Sequence, residues 1–140
     1  MALNVYSLER DGEKSLSKNF KVREFRCKDG SDPIFIDSEL VEILQKVRDH
    51  FGSPVHINSA YRTAAYNLSK KVGGAKFSQH QYGKAADIYI KGILITKLAE
   101  YVETLMPNKG GIGIYPIKPG VRDCAFVHVD VRAAKSRWRG

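Results

Sequence analysis

The sequence predicts an α+β fold, a small antiparallel sheet flanked by helices, and three observations carry that prediction. "DSELVEILQKVRDHFG" and "ILITKLAEYVETLM" repeat apolar residues at helical spacing. "VHINSAY", "KAADIYI", "GGIGIYP" and "FVHVDVR" alternate apolar and polar side chains as strands do. The turns between the last strands are short enough for antiparallel pairing. With 140 residues and 43% hydrophobic side chains, the chain is expected to form one domain, 1–140, around one core. No repeat or low-complexity tract interrupts it.

In chain order, the first helix takes Asp37 or Ser38 as N-cap, sets Leu40, Ile43, Leu44, Val47 and Phe51 on one face, and stops at Gly52. After Pro54, Val55, Ile57 and Ser59 alternate against His56 and Asn58 in a strand that runs into a loop at Tyr61 and Arg62, so Arg62 sits at a strand end. "TAAYNLSKKVGG" suits a short helix closed by Gly73 and Gly74. Further on, Ala86, Ile88 and Ile90 form one strand face and Asp87 and Tyr89 the other. The second long helix turns Leu94, Leu98, Tyr101, Val102 and Leu105 inward. On the last strand Val127, Val129 and Val131 oppose Phe126, His128, Asp130 and Arg132. The tail "RAAKSRWRG", with Arg132, Lys135, Arg137 and Arg139 around Trp138, reads as a solvated end with one anchored aromatic.

The valine face must be core, so His128 and Asp130 look into a cleft or solvent, and Asp87 projects likewise from the non-core side of its strand. His80 lies just before that strand, at a loop tip. If the two strands are neighbours, His80, Asp87 and His128 converge as two imidazoles and one carboxylate. Such a set suits a catalytic zinc whose fourth position stays open for water. Zinc brings the pKa of that water to about 7 and polarises a carbonyl, which hydrolysis of an unactivated amide requires. Any one of these residues alone reads as a satisfied strand histidine or a turn aspartate; the combination points to a metal. His50 ends a helix, where an imidazolium suits the dipole, and His56 sits opposite the inward-facing residues of its strand, so neither is counted as a ligand. Cys27 and Cys124 lack CxxC spacing, which argues against a cysteine-built site; the sequence does not decide whether they pair, and free, partly buried thiols are the default.

"SQHQYGKAADI" resembles the SxHxxGxAxD signature of the M15 zinc peptidases, the D-Ala-D-Ala carboxypeptidase and peptidoglycan endopeptidase family that shares its fold with the hedgehog signalling domain. "INSAYRT" resembles the segment preceding that signature, and "GIGIYP" followed by "FVHVDVR" resembles the family's last two strands. The likeness runs in family order from about Phe20 to about Trp138. It implies a hedgehog/DD-peptidase-like fold, zinc as cofactor, and His80, Asp87 and His128 as its ligands. It also implies a substrate-holding role for Arg62, whose fork of donors suits a carboxylate or carbonyl, and a hydrogen bond near the site from Ser78, which otherwise reads as a loop cap.

The pattern departs from the family at one place. Many members carry an acid three residues before the last histidine as general base, and that position here is Ala125. Asp130, on the face of His128, is the first candidate base or else an orienting partner of a ligand histidine, and Asp123 in "IKPGVRDC" is the second. The resemblance implies hydrolysis of a peptidoglycan peptide, as carboxypeptidase or endopeptidase. The alternative is a catalytically silent, zinc-containing wall-binding module.

A formal net charge of +8 suits anionic cell-wall polymers as partners. Nucleic acid is disfavoured, because no helix is strongly basic on one face and no aromatic ladder interleaves with the basic residues. A monomer is expected. Neither a membrane span nor a secretory signal is visible, so the expectation is synthesis in the cytoplasm and access to the wall after phage-type release, as for an endolysin.

Overall fold

The computed structural model describes residues 2–140 other than 70, 71, 73 and 76. The first 36 residues, to which the sequence reading assigned no element, hold β1 (Leu3–Ser7), a single helical turn α1 (Leu8–Asp11), β2 (Ser15–Ser17) and β3 (Phe20–Lys21). β1 pairs antiparallel with β4 (Pro33–Asp37), and β2 with β3. α2 (Ser38–Phe51) follows directly on β4, with the Asp37 carboxylate accepting from the Glu39 amide at 2.9 Å as N-cap and Gly52 closing the last turn at φ +65°. Its buried stripe is Leu40, Val41, Ile43, Leu44 and Val47, while Phe51 packs against the core from its edge.

The main sheet has the order β5-β6-β8-β7-β9, from β5 (His56–Ser59), β6 (Ala85–Tyr89), β7 (Gly111–Tyr115), β8 (Phe126–Asp130) and β9 (Ser136–Arg139). Ala86 pairs with Val129 and Ile88 with Val127 across β6 and β8, and all four side chains are fully buried. That apolar face, with Val131 and Ile112, meets Leu98, Ala99 and Val102 of α4 (Ile95–Leu105) and the α2 stripe in one core. The opposite face carries Asp87 and His128. Among the described residues no helix is long and apolar enough to cross a membrane.

Five expectations change. The α+β class stands, but the sheet is not wholly antiparallel: β9 runs parallel to β7, with Gly113 opposite Trp138. The tail is therefore an edge strand rather than a solvated end. Arg137 fixes it by bonds to Glu103 and to the carbonyls of Met106 and Lys109 at the end of α4. Trp138 lies so close over Gly113 that a Cβ there would come within 2.5 Å of the indole. Leu94 is 70% exposed, because its extended backbone (ψ 139°) precedes α4 and breaks the helical phase. The short helix α3 covers only Ala64–Leu68; Gly74 closes back on it by donating to the Asn67 carbonyl at 2.8 Å, and Gly73 lies outside the described residues. Finally, the β5–β6 register shifts between Ile57 and Ser59, so Ser59 lies opposite Asp87 instead of sharing the inward face with Ile57.

One glycine ties the small ribbon to the main sheet. Gly83 has φ +69°, its carbonyl accepts from the Asp37 amide at 2.9 Å, and a Cβ there would stand 2.4 Å from the Phe35 carbonyl oxygen. Gly83→Ala combines the left-handed penalty with a backbone clash, so it is expected to destabilise the protein by about 2 kcal/mol or more. Urea unfolding checks this; an unchanged midpoint would mean the ribbon is not anchored at Gly83.

Candidate metal centre

His80 sits in a 3-10 turn, Gln79–Tyr82, and not at an exposed loop tip: only 3% of it is accessible. The turn is held on every side. Ser78 caps it, its Oγ accepting from the His80 amide at 3.2 Å, and Gly83 ends it in the left-handed region. The Arg62 amide donates to the His80 carbonyl at 3.1 Å. These bonds turn the ring inward toward the polar face of β6.

There Asp87 and His128 are directly opposite one another in adjacent strands. Asp87 Oδ1 lies 3.3 Å from His80 Nε2 and 3.1 Å from His128 Nδ1. His80, Asp87 and His128 are the one group of three or more potential ligands found among the described residues, with ligand atoms all within 4.8 Å of one another and all three residues buried. His50, stacked on Tyr101, and His56, stacked on Tyr89, lie outside it.

The outer nitrogens settle which atoms face inward. His80 Nδ1 meets the Ala60 carbonyl at 2.7 Å, and a carbonyl only accepts, so Nδ1 carries the proton and Nε2 presents a lone pair. His128 Nε2 meets Asp130 Oδ2 at 2.7 Å, which places its proton there and leaves Nδ1 as the inward lone pair. Two imidazole lone pairs and a carboxylate thus converge in a buried space, an arrangement that calls for a cation. A tetrahedral zinc with bonds of about 2.0–2.1 Å has ligands about 3.3 Å apart, close to the 3.3 and 3.1 Å separations from Asp87. The residues present fit the metal that the resemblance implies.

Asp130 is fully buried, and both its oxygens are engaged. Oδ1 accepts from the Gly111 amide and from the Arg132 amide and Nε; Oδ2 accepts from His128 Nε2 and Arg132 Nη2. Burial alone would raise its pKa, but the bonds from His128 and Arg132 hold it below the usual carboxylate range. Asp87 shows the same opposition, with the two imidazoles overcoming the cost of burial. His128 is lowered by burial and raised by the two carboxylates, and the net direction is upward. Arg62 has a donor on Ser59 Oγ (2.9 Å), one on Asn67 Oδ1 (3.1 Å) and one on Asp87 Oδ2 (3.4 Å). Asp123 is exposed in the β7–β8 loop, and Ala125 lies at the mouth of β8. Cys27 is buried, Cys124 is half-buried, and both are free.

Three contributors were not legible. Ala60 acts through its carbonyl, which no side-chain pattern announces. Ser59 reaches the site face only because of the β5 irregularity. Asn67 looks like one more polar residue in a short helix, yet it is fully buried, anchoring Arg62 and donating to the Ala75 carbonyl at 2.6 Å.

The profile of the peptidase M15 family matches residues 16–130. Among curated proteins, the chain is similar to the probable peptidoglycan L,D-endopeptidase MepK of Haemophilus influenzae, at 28% identity over 98% of this chain and 76% of that protein. It is also similar to the peptidoglycan L,D-endopeptidase MepK of Escherichia coli K12, at 31% identity over 71% of this chain and 53% of that protein. The chain thus matches about three quarters of the first relative and about half of the second.

The purified protein is expected to bind one zinc per chain, to lose it in His80→Ala and His128→Ala, and to bind it about 10- to 100-fold more weakly in Asp130→Asn, where the support of His128 is damaged. Metal analysis with a chelator competition, on variants whose fold is checked by circular dichroism, measures all three. Full zinc content in both histidine variants would sink the site.

Proposed function

The chain belongs to the peptidase M15 family, and from that premise we propose that it hydrolyses a peptide bond of peptidoglycan, in the stem peptide or a crosslink, at a zinc ion held by His80 Nε2, the Asp87 carboxylate and His128 Nδ1. The observation that carries this reading is the convergence of those three groups with both outer imidazole nitrogens tied to protein acceptors. Zinc held there would supply a Lewis acid for the scissile carbonyl and bring the pKa of water to about 7. Cleavage within the peptide rather than at its end is favoured by the relatives, both named as L,D-endopeptidases.

The chain's own residues divide the remaining work. Asp130 orients His128 and fixes its tautomer, and its engaged oxygens leave it poorly suited to accept a proton from water. Arg62 steadies Asp87, which limits its freedom to grip a substrate. The base is assigned to Asp123. Cys124 Sγ lies 3.8 Å from Asn58 Nδ2 of β5, on the far side of β6, which supports a loop folded over the polar face just before β8. Asp123 lies in that loop, and among the described residues no protein donor occupies its oxygens. It would take the proton of the attacking water and pass it to the leaving amine. In this reading the net charge of +8 draws the protein to anionic wall polymers.

Ala125 favours a second reading, a zinc-holding wall-binding module without hydrolysis. Digestion of purified peptidoglycan by the zinc-loaded protein, with mass spectrometry of the released fragments, separates the two. Hydrolysis is expected, and Asp123→Asn should lower its rate by about two to four orders of magnitude with zinc retained. Binding to the wall with no cleaved product would establish the second reading, and a wild-type rate in Asp123→Asn would remove that residue as the base.

A further inference from the structure

The arginines near the site differ in how many of their donors remain free. Arg62 is engaged by Ser59, Asn67 and Asp87, and Arg132 gives Nε and Nη2 to Asp130. Arg137 is spent on Glu103 and four carbonyls. Arg122 is different. It is half-buried, its Nη1 donates to the Pro116 carbonyl at 2.8 Å, and among the described residues no other protein acceptor and no carboxylate meets its guanidinium.

Arg122 is nevertheless held in place. Its backbone forms a two-way bridge with Lys118, at 2.7 and 2.8 Å, around a turn in which Gly120 takes φ +78°. Its guanidinium carbon lies 4.8 Å from the centre of the Tyr115 ring and 5.7 Å from that of Phe126. Those rings are cross-strand partners stacked at 4.7 Å and 8°. Phe126 precedes His128 by two residues and so shares its face, one side-chain row or about 7 Å away. Tyr115 Oη accepts from Trp138 Nε1 at 2.7 Å, and the Trp138 ring stands 5.0 Å from that of His128. A cationic fork on an aromatic shelf therefore adjoins the candidate metal centre, and no step described so far uses it.

We propose that Arg122 is the carboxylate-binding residue of the substrate cleft, taking a free carboxylate that the peptide carries within one or two residues of the scissile bond. A guanidinium held against aromatic rings keeps its charge, loses little freedom on binding and offers paired N–H donors to a carboxylate. Arg62, which the family pattern nominates for that task, is occupied in holding Asp87. The substrate class follows: acidic stem peptides with an unamidated carboxylate near the cleavage point. This inference rests on the peptidase reading.

The test compares an alanyl-γ-glutamyl stem peptide bearing free α-carboxylates with the same peptide amidated at those groups, using the zinc-loaded protein. Wild type should favour the free acid by about 10- to 100-fold in kcat/KM, the range for a charge-assisted hydrogen-bonded pair. In Arg122→Gln the ratio should fall to near one, and in Arg122→Lys to an intermediate value. Hydrolysis with no preference in wild type, or a preference that survives Arg122→Gln, overturns the inference and leaves the peptidase reading intact. If neither peptide is cleaved, digestion of whole peptidoglycan decides the peptidase reading and equilibrium binding decides on Arg122. The protein's single tryptophan, Trp138, bonds the tyrosine beneath Arg122 and reports by fluorescence. Tighter binding of the free acid to wild type but not to Arg122→Gln supports the carboxylate site, and equal affinities overturn it.

Discussion

The register of two strands is the constraint on which the rest depends. Asp87 can face His128 because Ile88 pairs with Val127 and Ala86 with Val129 on the opposite side of the same two strands. Strand side chains alternate with a period of two, so a slip of one residue would exchange the faces. It would drive a carboxylate and an imidazole into the core and expose side chains worth about 1.5–3 kcal/mol each when buried. Neither strand can slide to relax the polar cluster. The apolar core thus fixes the geometry of the site without touching it.

That constraint also explains what could be read in the sequence. His80, Asp87 and His128 stood out because alternation assigns faces and because a histidine and an aspartate seven positions apart bracket a turn and a strand. Features that depend on one strand meeting another out of order did not stand out. β9 joins the sheet parallel to β7 because Gly113 leaves room for Trp138 and because Arg137 reaches Glu103 on α4, and neither fact follows from the composition of the tail. The irregularity between Ile57 and Ser59 inverts a simple alternation, which hid Ser59. Leu94 departs for the opposite reason: the helical periodicity of the sequence runs one residue past the point where the backbone turns extended. The first 36 residues carry no strong period; β1 is held by pairing with β4, and β2 and β3 by pairing with each other.

The excess positive charge does not act as one field. Arg62, Arg132 and Arg137 are drawn into bonds that brace Asp87, Asp130 and the end of α4. Each substitutes a planar set of donors for water at a buried or partly buried acceptor, a task to which a flexible ammonium is less suited. Reading every arginine as surface charge overstates what is free to meet a polyanion. The same inventory separates the arginine that braces Asp87 from the one whose donors remain open.

The energetic character of the site follows from its lone pairs. Two imidazole nitrogens and a carboxylate oxygen crowd together in a buried space, and each is held there by a bond on its outer side: Ala60 for His80, Asp130 for His128 and Arg62 for Asp87. Without a cation the carboxylate and the imidazoles hold one another across 3.1–3.3 Å, and the core beneath them and the braced turn at Ser78–Gly83 offset the cost of burying the set. A metal would bind the folded state alone, because the unfolded chain does not assemble the three groups. Metal affinity and folding stability are then two expressions of one free energy. The braces that orient the ligands carry that coupling from a turn, two strands and a helix-borne asparagine into a site whose three proposed ligands are themselves almost wholly enclosed.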